Sequence, residues 1–125
     1  LIARQLNDLN IVIDHCFMLN TFRKTEESLV ALERLSKLPN VHAKLTSGTH
    51  GSSRIYPHED MHAPLKRVID AFTPERCVYG SNFPNALWSK GTSYAQNLSL
   101  FTDEIGLSST DQEAILSGTA ERLWF

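Results

Sequence analysis

Three short apolar runs, each breaking at once into polar residues, constrain this chain more than any other feature. They are Asn10-Ile11-Val12-Ile13-Asp14-His15, Val41-His42-Ala43-Lys44-Leu45-Thr46-Ser47-Gly48 and Cys77-Val78-Tyr79-Gly80-Ser81-Asn82-Phe83-Pro84. Runs this short, rich in Val, Ile and Tyr, predict buried strands at about 10–14, 41–45 and 76–79. In the second, Val41, Ala43 and Leu45 fall on one face, His42 and Lys44 on the other. The strand starts lie about 31 and 35 positions apart, a spacing that suits βαβ units. Such units give parallel strands joined by right-handed crossovers. A buried strand that delivers polar side chains at its C-terminal end is where α/β proteins place chemistry.

Helical patterns fill the intervals. Ile2, Leu6 and Leu9 read as the tail of a first helix. Leu29, Leu32 and Leu35 give a second its apolar face, with Thr25 as cap, Glu26 and Glu27 in the first turn, and Pro39-Asn40 closing it. A third, from about Glu59 to Phe72, aligns Leu65, Val68, Ile69 and Phe72. Tyr94, Leu98, Phe101 and Ile105 mark a fourth, ended by Gly106. Ser109 with Gln112 makes a capping box for a last stretch, interrupted near Gly118. Segments 16–23 and 82–92 read as loop, and Ser47 to Pro57 as a long loop of the kind that often carries function. Near-continuous apolar strands need cover on both faces, and three strands alone leave two open edges. The predicted fold is therefore α/β: part of an α/β barrel, ahead of part of an open doubly wound sheet.

The 125 residues suffice for one modest core, hence one domain over 1–125. The first residue is Leu1 and the opening looks like a helix tail, so the expectation is a piece of a longer protein. Twelve basic and 14 acidic residues are well mixed, for a net charge of -2. No basic stripe points to nucleic acid, and no apolar run approaches the roughly 18 residues of a membrane span. The expected partner is a small-molecule substrate, with a homo-oligomer as the means of completing a barrel. Cys16 and Cys77 form no CxxC pair and read as small core residues. Reduced thiols and the lack of a signal peptide make a cytoplasmic protein the expectation.

Taken in order, Ile13-Asp14-His15-Cys16, Asn40-Val41-His42-Ala43-Lys44-Leu45, Glu75 to Pro84 and the ending Ser117-Gly118-Thr119-Ala120-Glu121-Arg122-Leu123 carry a resemblance. The chain resembles the C-terminal part of the amidohydrolase-related family, predicted metal-dependent hydrolases of TIM-barrel fold. The resemblance implies the last three βα units, strands six to eight, of a (β/α)8 barrel. It implies hydrolysis of a small cyclic ester (lactone) or amide-type carbonyl, with a divalent metal, Zn or Mn. His15 matches the strand-six histidine that binds metal or substrate. Asn82 stands where the strand-eight aspartate usually stands, the residue that binds metal and takes the proton of the attacking water. A neutral amide can do neither as an anion or base at pH 7, though its oxygen can coordinate or accept a hydrogen bond. The segment Asn85-Ala86-Leu87-Trp88 fits the family less well than the strand before it.

Each candidate has a plainer reading beside it. His15 points into the site as ligand or electrophile, or is a loop histidine hydrogen-bonded to Asp14. Asn82 orients water or substrate, or fills a turn. Lys44 reaches an anionic substrate or snorkels out. Ser47, His50 and Arg54 contact substrate from the long loop, or merely lie in it. His42 reads as structural. His58-Glu59-Asp60-Met61-His62 matches the H-E-x-x-H zinc pattern. Pro64 follows two residues later and the surroundings are polar, which favours a helix start with solvated side chains. Two functional readings result: an enzyme portion using His15 and Asn82 as catalytic residues, with His15 also as metal ligand, or a non-catalytic half-barrel that binds or dimerises.

Overall fold

A computed structural model describes residues 2–125 apart from 7, 85, 86 and 88–90; the side chain of Ser47 also lies outside the description. Three parallel strands form one sheet in the order β1 (Ile11–Ile13), β2 (Val41–Leu45), β3 (Cys77–Tyr79). The register pairs Ile11 with Val41 and Ile13 with Ala43, then Ala43 with Cys77 and Leu45 with Tyr79. β2 has the expected bounds. β3 starts one residue late because Pro74–Arg76 makes a 3-10 turn, with Pro supplying the fixed φ of a helical start. The helices between strands are α2 (Thr25–Ser36) and α4 (Glu59–Phe72), packed on each other and on β2.

Alternation along the strands divides the sheet into two faces. Ile13, Val41, Ala43, Leu45 and Cys77 enter one core with Leu29 and Leu32 of α2, Leu65, Val68 and Phe72 of α4, and Phe101 and Ile115 further on. Burying each such side chain contributes about 1.5–3 kcal/mol. Val12, Asp14, His42, Lys44, Thr46 and Gly80 alternate to the opposite face, which therefore carries the polar groups. A Cβ on Gly80 would stand 2.4 Å from Thr46 Cγ2 and 3.0 Å from Lys44 Cε. Glycine is required there because two neighbouring side chains already fill the space.

Several local expectations are corrected. α1 (Ile2–Gln5) buries Ala3, whereas Ile2, Leu6 and Leu9 are exposed. Lys24, in a left-handed conformation, precedes α2; Thr25 is its first residue and donates to Asn20 O at 2.8 Å instead of capping. α2 ends at Ser36, and Asn40 has another task. Its amide Nδ2 lies 3.0–3.1 Å from the carbonyls of Ala3, Leu6 and Leu9 and clamps the N-terminal segment to β2. The expected long loop opens with a short helix, α3 (Ser47–His50). α5 (Tyr94–Ser99) has Ser93 and Gln96 as a complete capping box and runs into a π-helical segment, Leu100–Glu104. Its buried face is Asn97, Leu100, Phe101 and Ile105, while Tyr94, in the first turn, is exposed. The cap of α6 (Ser109–Glu113) is Ser108, accepting from Asp111 N at 3.1 Å; Gln112 instead donates to Thr102 O and Leu107 O. The expected break near Gly118 is a π-helical segment, Ala114–Gly118, that leads directly into α7 (Thr119–Trp124). Thr119 and Arg122 tie α7 to the carbonyls of Pro74 and Glu75 at the start of β3. No helix among the described residues is long and apolar enough to cross a membrane.

Candidate active site

All three strands run the same way, so the segments that follow them leave from one edge of the sheet. Strand spacing puts the ends of β1 and β3 about 10 Å apart, with the end of β2 between them. The segments after the strands are laced together. Thr21 N donates to Gly51 O at 2.9 Å, joining the first to the second. His58 joins the second to the third. Its Nδ1 lies 2.9 Å from Arg54 O and its Nε2 3.2 Å from Thr92 Oγ1. A carbonyl only accepts, so Nδ1 carries a proton; a neutral ring then accepts the Thr92 hydroxyl at Nε2.

After β1 the chain enters an irregular 3-10 turn, Asp14–Phe17. His15, Cys16, Phe17 and Met18 have φ of 51°, 46°, 55° and 59°. None is glycine, and each left-handed residue costs about 1–2 kcal/mol. Tertiary contacts hold the run in place. Cys16 is fully buried and its Sγ donates to Lys44 O at 3.3 Å. Burial pushes that thiol up to about 12, so it stays protonated and able to donate. Leu19, also fully buried, returns its N–H to the carbonyls of His15 and Cys16.

His15 thus stands between two tethered neighbours. Asp14 Oδ1 accepts from Lys44 Nζ at 2.9 Å and from His15 N at 3.1 Å, and Asp14 Oδ2 lies 3.5 Å from His15 Nε2. The Lys44 ammonium holds the Asp14 carboxyl below its usual range. The His15 ring meets the His50 ring edge-to-face, with centroids 5.2 Å apart. His50 is buried and Lys44 half-buried. At the end of β3, Asn82 is half-buried with φ 54°. The buried Asn97 donates to the neighbouring Ser81 carbonyl at 2.5 Å and fixes this segment against α5.

Of the predicted site residues, the fold brings His15 and Lys44 to Asp14, sets His50 against the His15 ring, and puts Asn82 on the same edge two strands away. Ser47 begins α3, with its side chain outside the described ones. Arg54 is turned to the surface, where Nη1 meets Glu59 Oε2 at 3.1 Å. The expected poor family match at 85–88 falls largely outside the described residues. The H-E-x-x-H pattern does not form a zinc site. His58 precedes α4 at φ 58° and is buried between the loops rather than solvated. His62 Nε2 donates to Pro57 O at 2.7 Å, and Glu59 faces Arg54. His42 is buried, and desolvation lowers its pKa, which suits a structural neutral ring.

Sequence reasoning overlooked Asp60. Its carboxylate accepts from Thr21 Oγ1 at 2.5 Å, Ser53 N at 2.8 Å, Ser53 Oγ at 2.7 Å and the Ser52 hydroxyl. Burial alone would raise its pKa; the hydroxyl and amide donors outweigh that and hold it far below the usual carboxylate range. The one available signal was an acid in the first turn of α4 following a Ser-Ser pair.

Imidazole and carboxylate donors beside each other suit zinc or manganese. Among the described residues, however, no three His, Cys, Asp or Glu side chains are grouped to hold an ion. The donor types fit a divalent metal, but zinc's tetrahedral shell needs more ligands than His15 supplies here.

Comparison with known proteins agrees with this architecture. The family model described as amidohydrolase matches residues 2–125. No curated protein matches the chain. An amidohydrolase from Burkholderia multivorans with bound zinc superposes with a TM-score of 0.80 at 28% identity, covering 98% of this chain and 46% of that one. A crystal form with bound HEPES gives 0.77, also at 28% identity, covering 97% and 46%. Amidohydrolase 2 from Bifidobacterium longum subsp. infantis gives 0.68 at 25%, covering 98% and 43%. The chain spans just under half the length of these structures, and its three parallel strands correspond to part of a TIM barrel.

Proposed function

Because this chain belongs to the amidohydrolase family, we propose that it contributes to a hydrolase that adds water to the carbonyl of a small cyclic ester or amide. The observation that carries this reading is the clustering of Asp14, His15, Lys44 and His50 at the shared C-terminal edge of parallel strands. Barrel enzymes build their chemistry on that edge. The zinc in the Burkholderia neighbour supports a divalent metal here, with His15 and the Asn82 amide oxygen as the ligands this chain would offer. Such a metal supplies Lewis acidity and lowers the pKa of water.

The residues have separable duties. His15 presents a ring nitrogen, and Asp14 beside it favours the orientation seen. Asn82 orients water or the substrate oxygen and takes no proton. Asp14 is the ionised carboxylate at the edge, and Lys44 keeps it so. Lys44 and His50 face the substrate, whereas Arg54, paired with Glu59 at the surface, stands apart from it.

The test is zinc binding by calorimetry, with hydrolysis of a panel of lactones and cyclic amides. Zinc-dependent turnover is expected, and His15→Ala should reduce it about 10²-fold or more. A zinc-loaded protein inert on the panel, or an active His15→Ala, overturns the reading. The rival is a non-catalytic half-barrel that binds or dimerises. Asn82 in place of a carboxylate favours it, and a metal-free inert protein is its signature.

A further inference from the structure

We propose that Lys44 is the positioning residue for His15, holding the left-handed turn that presents the imidazole. The inference rests on reading His15 as a site residue. Lys44 grips both neighbours of His15. Its ammonium holds Asp14 at 2.9 Å and its carbonyl accepts from Cys16 Sγ at 3.3 Å. His15, between these two anchors, opens the run of positive φ that continues to Met18 and contains no glycine or asparagine to favour it locally. With Asp14 fixed on one side and Cys16 on the other, the His15 ring is directed onto His50.

The lysine is itself seated. Gly80 leaves just enough room for Lys44 Cε, and Thr46 Cγ2 stands beside it. A long flexible stem confined in this way loses little further entropy when its head group pairs. The Asp14 and Lys44 side chains are 60% and 34% exposed, and ion pairs of that exposure add little to stability. The consequence of this pair is geometric. An ammonium has three donors, so holding Asp14 leaves Lys44 able to meet an anionic substrate as well.

The experiment uses the full chain with Lys44→Met, Asp14→Asn and the double variant. The first readout is the nuclear Overhauser cross-peak between the His15 and His50 ring protons, measured without metal. The second is zinc affinity by calorimetry. Both single variants should lose most of the cross-peak and bind zinc about 10-fold more weakly, a shift of about 1.4 kcal/mol. The double variant should be no worse than either single, as expected for residues that act through one bridge. A cross-peak kept at wild-type intensity in Asp14→Asn overturns the proposal, and that variant decides alone if Lys44→Met fails to fold. A wild-type protein that binds no zinc defeats the hydrolase reading but leaves the ring contact as the test of positioning. Loss of turnover with an intact ring contact defeats positioning alone.

Discussion

Thr21 Oγ1 and Asp60 Oδ2 meet at 2.5 Å across 39 positions of sequence, so a hydroxyl following β1 lands on the first turn of α4. Ser52 and Ser53 bring the segment after β2 to the same carboxylate. Replacing Asp60 by Ala leaves these donors without their acceptor. The expected cost is about 1–3 kcal/mol, read from urea denaturation.

Asp60 also sets an acid limit. Its folded pKa lies below its unfolded value, near 3.9. Above about pH 5 the carboxylate is ionised in both states and its contribution is fully present. As pH falls below that, the unfolded chain takes up the proton first, and the stabilisation is lost on the way down to the folded pKa. The stability gap between wild type and Asp60→Asn should therefore be level from pH 7 to about 5 and narrow below. A gap that widens on acidification contradicts this assignment.

Gly80→Ala should destabilise by about 1–3 kcal/mol, since the new methyl overlaps Thr46 Cγ2. Thr46→Ser removes that methyl. The Gly80→Ala/Thr46→Ser pair should recover part of the loss in denaturant melts. Strict additivity would show that the overlap is not the cause.

Asn82→Asp restores a carboxylate at the end of β3, in a backbone conformation that aspartate tolerates. If this position faces the metal, zinc should bind about 10-fold more tightly by calorimetry. An unchanged affinity would place Asn82 outside the coordination shell.

Glu59→Gln should leave zinc affinity unchanged, because Glu59 pairs with Arg54 at the surface. His58→Ala should instead cost about 1–3 kcal/mol and speed amide exchange near Arg54 and Thr92, whose groups it bridges. Zinc loss in Glu59→Gln would revive the H-E-x-x-H reading.

What the sequence disclosed follows from which signals are local. β2 and α4 were legible to the residue because Val41, Ala43 and Leu45 alternate and Leu65, Val68, Ile69 and Phe72 recur at helical spacing. The caps at Lys24 and Ser108 were misplaced by one residue: the Ser108-Ser109 pair offers two equivalent starts, and Lys24 has no acceptor with which to signal a cap. The π-helical segment at Leu100–Glu104 left no signal, since a widened turn leaves composition unchanged, and the one at Ala114–Gly118 showed only as a break near Gly118. Of the candidate site, His15 and Asn82 stood out as polar residues closing apolar runs, and Lys44 as a polar residue on one strand face. The turn from His15 to Met18 was not, because the contacts that tether it, from Asp14 and Cys16 to Lys44, cross to another strand. The Asp60 cluster draws on three separated segments, so no window along the chain contains it.

The run of four positive φ values has a further meaning for where the imidazole's geometry resides. A synthetic peptide copying residues 10–24 would relax into ordinary right-handed or extended conformers and scatter the ring over many directions. The direction of the ring is thus a property acquired only with the assembled sheet, and grafting the Asp-His pair onto another scaffold would transfer the letters without the shape.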